Sequence, residues 1–236
     1  MRTLMSNSFR TTNSSGLINK DKKINFTFNG TIYHGYEGDT LASALIANGV
    51  HLVGRSFKYH RPRGFLGVGV EEPNAMVQLH DGNKSEPNII ATEVELVEGL
   101  KAKSQNCWPS VQFDIGEINN VLNRFFPAGF YYKTFMWPKS FWMKIYEPFI
   151  RKAAGMGKAP LLPDPDRYEH NYEHCDVLVV GSGPSGLASA LAAAKNGARV
   201  ILAEDKPNFG GSLLTDEVTI GNMSGKEWAS DTISQL

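Results

Sequence analysis

The sequence has few cysteines and no excess of charge of either sign. Cys107 and Cys175 are the two cysteines among 236 residues, and their surroundings suggest no disulfide. A reducing compartment is favoured, so we expect a cytoplasmic protein. Lysine plus arginine number 24, and aspartate plus glutamate also number 24. The chain therefore has no net charge that would attract the whole molecule to nucleic acid or anionic lipid.

Long apolar runs and paired metal ligands are also lacking. The most apolar stretch, residues 125–149, is interrupted by prolines, lysines and a glutamate, so no membrane span is predicted. Histidines and cysteines show no spacing typical of a metal site, and we assign none. The N-terminus has two arginines without an apolar segment, which argues against a secretory signal. Its Ser, Thr, Asn and Gly content predicts a mobile tail over residues 1–19.

The first structured region begins with a hairpin and a helix. Residues 24–36 contain two β-rich runs separated by Asn29-Gly30, a pair that favours a tight turn. Asp39 or Thr40 then caps a helix of about ten residues. Hairpin followed by helix is the start expected of a β-grasp domain.

Later strand signals complete this domain. Residues 75–82 and 89–99 are rich in strand-forming residues, with turns near 81–82 and 87–88. The α+β pattern predicts a ferredoxin-like β-grasp domain over residues 20–103.

Residues 104–172 form an aromatic- and proline-rich connector with weak periodicity. One helix is predicted between Pro138 and Gly155, followed by a linker to Asp166. The basic segment 55–63 has interleaved aromatics, and we interpret it as a solvated loop or subunit contact because the remaining chain is not basic.

A dinucleotide fingerprint begins after this connector, in a predicted domain over residues 173–236. Val177–Val180 form an apolar run suited to a buried parallel strand. The loop GSGPSG, residues 181–186, follows at once, and then a helix and a second strand over Arg199–Ala203. This is the βαβ context that the pattern requires, so the fold class continues as α/β.

Each glycine of the loop has a physical role in this interpretation. Gly181 makes the tight turn, Gly183 lets the backbone approach a pyrophosphate, and Gly186 lets helix and strand pack closely. Glu204, 18 residues after Gly186, ends the second strand, where it can accept hydrogen bonds from ribose hydroxyls. A carboxylate there favours NAD or FAD over NADP. The Gly210-Gly211-Ser212 loop either folds back over the cofactor or is an ordinary surface turn.

Several ordered strings resemble one family over nearly the whole chain after residue 25. They are GDTLASALIANGV, VGRSFKYHRPRG, SQNCWPS, PAGFYYKTFMWP, YEPFIRKAAG and CDVLVVGSGPSGLASALAAA. Together they resemble the N-terminal part of the α subunit of heterotetrameric sarcosine oxidase. Opine oxidase and hydrogen cyanide synthase subunits are related families.

The resemblance also shows a difference in the ferredoxin-like domain. Relatives hold an iron–sulfur cluster with a C-x4-C-x2-C loop. When FLGVGVEEPNA is aligned with that loop, the cysteine positions fall on Leu66, Glu71 and Asn74. None of these supplies a thiolate, so we expect a scaffold without a cluster.

The resemblance implies a complex that demethylates sarcosine oxidatively to glycine, transfers the one-carbon unit to tetrahydrofolate and reduces oxygen to hydrogen peroxide. It implies partners β, γ and δ, FAD on the β subunit, FMN between α and β, and NAD on the α subunit. The residues that it assigns to NAD are Gly181, Gly183, Ser185, Gly186, Glu204, Asp205, Lys206, Gly211 and Ser212. No catalytic residue is assigned.

The chain is short for this family, so we expect a fragment with an incomplete dinucleotide domain that is inactive alone. Two alternatives stay open. One is a subunit of a related FAD-dependent opine or amino-acid oxidoreductase, and the other is a non-catalytic interaction module.

Overall fold

The computed structural model describes residues 9–11, 18–125, 135–153, 157 and 159–236. These residues form two compact units, which divide between Asp166 and Arg167. Most of the predicted mobile tail lies outside the described residues. Within it, Arg10 makes a two-pronged ion pair with the buried Asp39, with nitrogen–oxygen distances of 3.1 and 2.6 Å.

The described part of the first unit is built on one sheet, two short strands beside it, and three α-helices. The strands are β1 (Asn19–Phe28), β2 (Thr31–Glu37), β3 (Gly54–Arg55), β4 (Pro62–Arg63), β5 (Met76–Leu79), β6 (Glu86–Ile90) and β7 (Lys101–Ser104). The helices are α1 (Leu41–Ala47), α2 (Ile118–Val121) and α3 (Glu147–Ala153).

The sheet has the strand order β2-β1-β7-β5-β6. β7 lies parallel to β1, and the remaining neighbours in the sheet are antiparallel. Apolar side chains from the sheet and α1 form its core, including Phe26, Leu41, Leu45 and Val77, all at most 1% exposed. The predicted ferredoxin-like β-grasp fold is confirmed.

The predicted hairpin and helix are both present. Asn29 and Gly30 have φ angles of 51° and 77°, the left-handed pair that a tight turn between β1 and β2 requires. Thr40 caps α1 by accepting from the Ser43 amide, and the Ser43 hydroxyl accepts from the Thr40 amide. The helix has 7 residues, shorter than predicted.

Other sequence expectations in this unit are wrong in detail. Pro87 and Asn88 lie inside β6 and not in a turn, although Asn88 has a φ of 61°. The predicted strand over 89–99 ends at Ile90, and a 3-10 turn follows at Ala91–Glu93. The single helix predicted from Pro138 is a 3-10 turn, a π turn and α3 in succession. Gly155 lies outside the described residues.

The basic segment is not simply a solvated loop. Arg55 is 8% exposed, and its guanidinium donates to the carbonyl oxygens of Val111 (2.8 Å) and His60 (3.0 Å). It also pairs with Glu117 at 3.1 Å. His60 Nδ1 lies 2.6 Å from the buried Asp114. These contacts join residues 54–63 to the start of the connector.

The second unit contains the predicted βαβ arrangement and a second helix. Its elements are β8 (Val177–Val180), α4 (Pro184–Lys195), β9 (Val200–Ala203), β10 (Thr219–Ile220), β11 (Met223–Ser224) and α5 (Gly225–Gln235). β8 and β9 are parallel. Leu187, Leu213 and Ala229 form a small core between α4, α5 and the loop before β10.

One face of β8 is open in this structure. Val177 and Val179 are partly buried, whereas Leu178 is 58% and Val180 is 81% exposed. The predicted parallel strand is present, and the face that carries Leu178 and Val180 is exposed instead of buried. Within those residues, no helix combines the length and apolarity needed to cross a bilayer.

Candidate dinucleotide-binding site

The glycine-rich loop connects the end of β8 to the start of α4. The Gly181 amide donates to the Ala203 carbonyl at the end of β9 (2.8 Å), and Gly181 has a φ of 93°. A Cβ at Gly186 would overlap the Gly181 carbonyl oxygen. The turn and the close packing thus both depend on glycine, as the spacing suggests.

Gly183 is the N-cap residue of α4 and leaves an open approach to the helix. A Cβ added to Gly183 would meet no atom within 4 Å, so packing within the protein does not require glycine at this position. No side chain caps the helix, and Pro184 stands in its first turn. Ser185 is exposed beside it. Free backbone amides and the helix dipole at such a terminus suit an anionic group.

Glu204 lies just after β9 and is bonded to the loop. One carboxylate oxygen accepts from the Ser182 amide (2.7 Å) and hydroxyl (2.5 Å). The other accepts from the amides of Asp205 (3.1 Å) and Lys206 (3.2 Å). The hydrogen bonds from Ser182, hydroxyl first and then amide, lower the pKa of Glu204 to about 2. The carboxylate is therefore ionised at neutral pH and fixed at the level of the glycine-rich loop.

Ser182 is a site residue that the sequence does not indicate. It is fully buried, and besides its bonds to Glu204 it accepts from the Gly210 amide through its carbonyl (3.1 Å) and hydroxyl (3.2 Å) oxygens. The fingerprint accepts any residue between its first two glycines, so spacing gives no signal for this serine. Ser182 joins the glycine-rich loop, the end of β9 and the following loop.

The double-glycine loop folds back onto the fingerprint. A Cβ at Gly211 would lie 2.9 Å from the Cα of Gly183. Ser212 is exposed in the 3-10 turn Gly211–Leu214. Asp205 and Lys206 are also exposed, and their amides support Glu204. The double-glycine loop therefore packs directly against the glycine-rich loop.

The aligned cluster loop in the first unit does not fit an iron–sulfur group. Leu66 is 76% exposed, and neither it nor Glu71 or Asn74 carries sulfur. Burial and nearby Asp114 raise the pKa of Cys107, the one cysteine between residues 18 and 166, which disfavours the thiolate that binds iron. Within the described ranges, no group of three or more His, Cys, Asp or Glu side chains is arranged to hold a metal ion.

The fold is a ferredoxin-like β-grasp domain followed by a βαβ unit that carries the glycine-rich loop. Two family models match accordingly: a 2Fe-2S iron-sulfur cluster binding domain over residues 21–107, and an FAD dependent oxidoreductase over residues 176–235.

Known sarcosine oxidases align with nearly the whole chain. Sarcosine oxidase subunit alpha of Rhizobium meliloti (strain 1021) is 57% identical over 94% of this chain and 22% of the relative. The subunit of the same name from Corynebacterium sp. (strain U-96) is 33% identical over 93% of this chain and 18% of the relative. The predicted resemblance to the N-terminal part of this α subunit is confirmed. The chain spans about a fifth of the length of these relatives.

A shorter match concerns a different enzyme. A soluble pyridine nucleotide transhydrogenase of Marinobacter nauticus is 52% identical over 44 residues, which are 19% of this chain and 9% of the relative.

Proposed function

We propose that this chain binds NAD as the dinucleotide-binding portion of a sarcosine oxidase-type α subunit. The observation that carries the proposal is the position of the ionised Glu204 beside the glycine-rich loop, with an open approach at Gly183. A pyrophosphate at the start of α4 would lie near Gly181, Gly183, Ser185 and Gly186. The adenosine would then lie near Glu204, Asp205 and Lys206, with Gly211 and Ser212 on the loop beside the phosphates.

The carboxylate of Glu204 favours NAD over NADP. Ribose hydroxyls donate to a carboxylate, whereas a 2′-phosphate would be repelled by its charge. The four hydrogen bonds at Glu204 already match the acceptor capacity of a carboxylate. A ribose hydroxyl therefore replaces one donor, and the Ser182 hydroxyl is the one that rotates without moving backbone.

The assembled complex, in this proposal, converts sarcosine to glycine in the cytoplasm. Sarcosine gives up two electrons, and oxygen takes them with two protons to form hydrogen peroxide. The one-carbon unit goes to tetrahydrofolate. Amine oxidation occurs on the FAD of the β subunit, FMN lies between α and β, and γ and δ complete the assembly. The 57% identity to a sarcosine oxidase subunit alpha supports this assignment. This chain contributes binding, has no catalytic residue and is inactive alone.

FAD is the second candidate for the site, because the second unit matches an FAD dependent oxidoreductase model. FAD and NAD share the adenosine and pyrophosphate that the loop and Glu204 would contact. The visible absorbance of the purified protein separates the two: a bound flavin absorbs in the blue, and NAD does not. A flavin spectrum with an FAD mass would replace NAD in the proposal.

Calorimetric titration with NAD tests the proposal directly. Glu204→Ala removes charge-assisted hydrogen bonds worth about 1.5 to 3 kcal/mol, so NAD affinity should fall about ten- to a hundredfold. Glu217→Gln removes a carboxylate elsewhere in the same unit and should leave affinity unchanged. If wild-type chain binds neither NAD nor FAD, the interaction-module alternative is favoured. Unchanged NAD affinity in Glu204→Ala would show that this carboxylate does not contact the ribose.

A further inference from the structure

The loop aligned with the cluster-binding motif is folded around a buried carboxylate. Glu72, next to the second aligned cysteine position, is 2% exposed. One of its carboxylate oxygens accepts from the amides of Leu66 and Gly67, both at 2.6 Å. The other accepts from the amides of Asn74 (2.7 Å) and Ala75 (3.1 Å).

These four amides converge on one point from both ends of the loop. A carboxylate has about four acceptor positions, and four N–H donors occupy them. A ring of inward-pointing backbone amides is the arrangement that proteins use to hold anions, including iron–sulfur sites. The pKa of Glu72 is consistent with this arrangement: burial would raise it, but the four amides lower it below its ordinary value.

At two of the aligned cysteine positions, Leu66 and Glu71, the side chain does not reach this point. Leu66 contributes its amide while its side chain is exposed, and Glu71 bonds the amides of Val68 (2.8 Å) and Gly69 (3.1 Å) on the outside of the loop. The loop is also attached to the domain, because the Thr92 hydroxyl donates to the Gly69 carbonyl (2.8 Å). The side chain of Glu72 is the one that lies inside the loop, among the four amides.

We propose that Glu72 replaces an iron–sulfur cluster as the anion around which the loop Phe65–Ala75 folds. A side chain of this chain supplies the negative charge that a cluster would supply, and it fills the amide ring. The β-grasp domain thereby keeps its loop conformation without a redox centre. The inference concerns the first unit and does not depend on the proposed NAD site.

Amide hydrogen exchange of the full chain tests this role. In Glu72→Gln the side chain keeps its shape but loses its charge and half of its acceptor capacity. We expect the amides of Leu66, Gly67, Asn74 and Ala75 to exchange at least about tenfold faster than in wild type. Glu71→Gln is the matched control, and it should leave these four amides protected. Equal protection of the four amides in Glu72→Gln and wild type would overturn the proposal.

Anion rescue provides a second measurement if Glu72→Gln does not fold. Glu72→Ala empties the amide ring, and formate is small enough to enter it. Refolding in formate should restore a cooperative unfolding transition and protection of the four amides, with saturation, whereas chloride at equal ionic strength should not. A Glu72→Ala chain that behaves identically in formate and chloride, folded or unfolded, would contradict the proposal.

Discussion

The bond between Ser182 and Glu204 lowers the pKa of the candidate ribose acceptor. The hydroxyl and the amide of Ser182 both donate to one carboxylate oxygen of Glu204. The hydroxyl contributes most to the lowering of the Glu204 pKa to about 2. Ser182→Ala removes the hydroxyl and keeps the amide. We expect the pKa of Glu204 to rise towards its ordinary value, as measured by carboxyl ¹³C NMR titration. Ser185→Ala alters an exposed serine of the same loop and serves as the control. An unchanged pKa in Ser182→Ala would show that the amides alone hold the charge.

The same pair sets a pH dependence of stability. Because the folded pKa of Glu204 lies below its ordinary value of 4.5, its contribution to stability is complete above about pH 4.5 and is lost as the pH falls towards 2. Ser182→Ala raises the folded pKa of Glu204, and this pKa sets the lower pH limit of the window. The variant should therefore lose less stability than wild type between those two pH values.

The sequence predicts the glycines of the loop and the carboxylate of Glu204, but it does not predict the roles of the buried residues Ser182 and Glu72. The spacing of Gly181, Gly183 and Gly186 identifies the loop. Backbone geometry or close packing requires glycine at Gly181 and Gly186, and Gly183 leaves room for a ligand. Ser182 and Glu72 occupy positions that tolerate many residues. Ser182 bonds the Glu204 carboxylate and the Gly210 amide, and Glu72 accepts from four backbone amides. Only the folded chain brings these partners together.

At the scale of elements, Arg55 connects β3 to the segment before α2. Its guanidinium reaches the carbonyl groups of Val111 and His60 and the carboxylate of Glu117. A lysine has a single ammonium group and cannot bridge separate acceptors in this planar geometry. Arg55→Lys should therefore lower the free energy of unfolding by about 2 kcal/mol in urea denaturation. Exposed Arg63→Lys is the control, and equal effects of the two changes would contradict the bridging role.

Sequence patterns predicted the turn and the helix cap, which depend on neighbouring residues. They missed features that depend on pairing with strands far away in the sequence. The Asn29-Gly30 turn and the cap at Thr40 are local, and both were predicted. β7 has the sequence Lys-Ala-Lys-Ser and is a strand because β1 and β5 pair with its two sides. Pro87 lies within β6 because β6 is an edge strand, where a missing amide hydrogen is tolerated.

At the scale of the whole molecule, the two units are separated along the chain by an irregular segment. Residues 159–174 are all exposed and form no regular secondary structure, and each unit has its own apolar core. The proline-rich composition before Asp166 indicated a linker from sequence alone. Exposure and irregular backbone are the properties that make a segment accessible to a protease.

Limited trypsin digestion tests this division. Arg167 is the single lysine or arginine within residues 159–174, so the bond from Arg167 to Tyr168 should be among the first that are cut. The expected products are a fragment that ends at Arg167 and one that covers Tyr168–Leu236, identified by intact mass. Arg167→Gln should abolish this pair of fragments without altering the remaining pattern. Early cleavage after Lys101 or Lys103 would instead show that β7 opens before the linker is cut, because both lysines lie inside the central sheet. That result would place the weakest part of the molecule in the β-grasp domain.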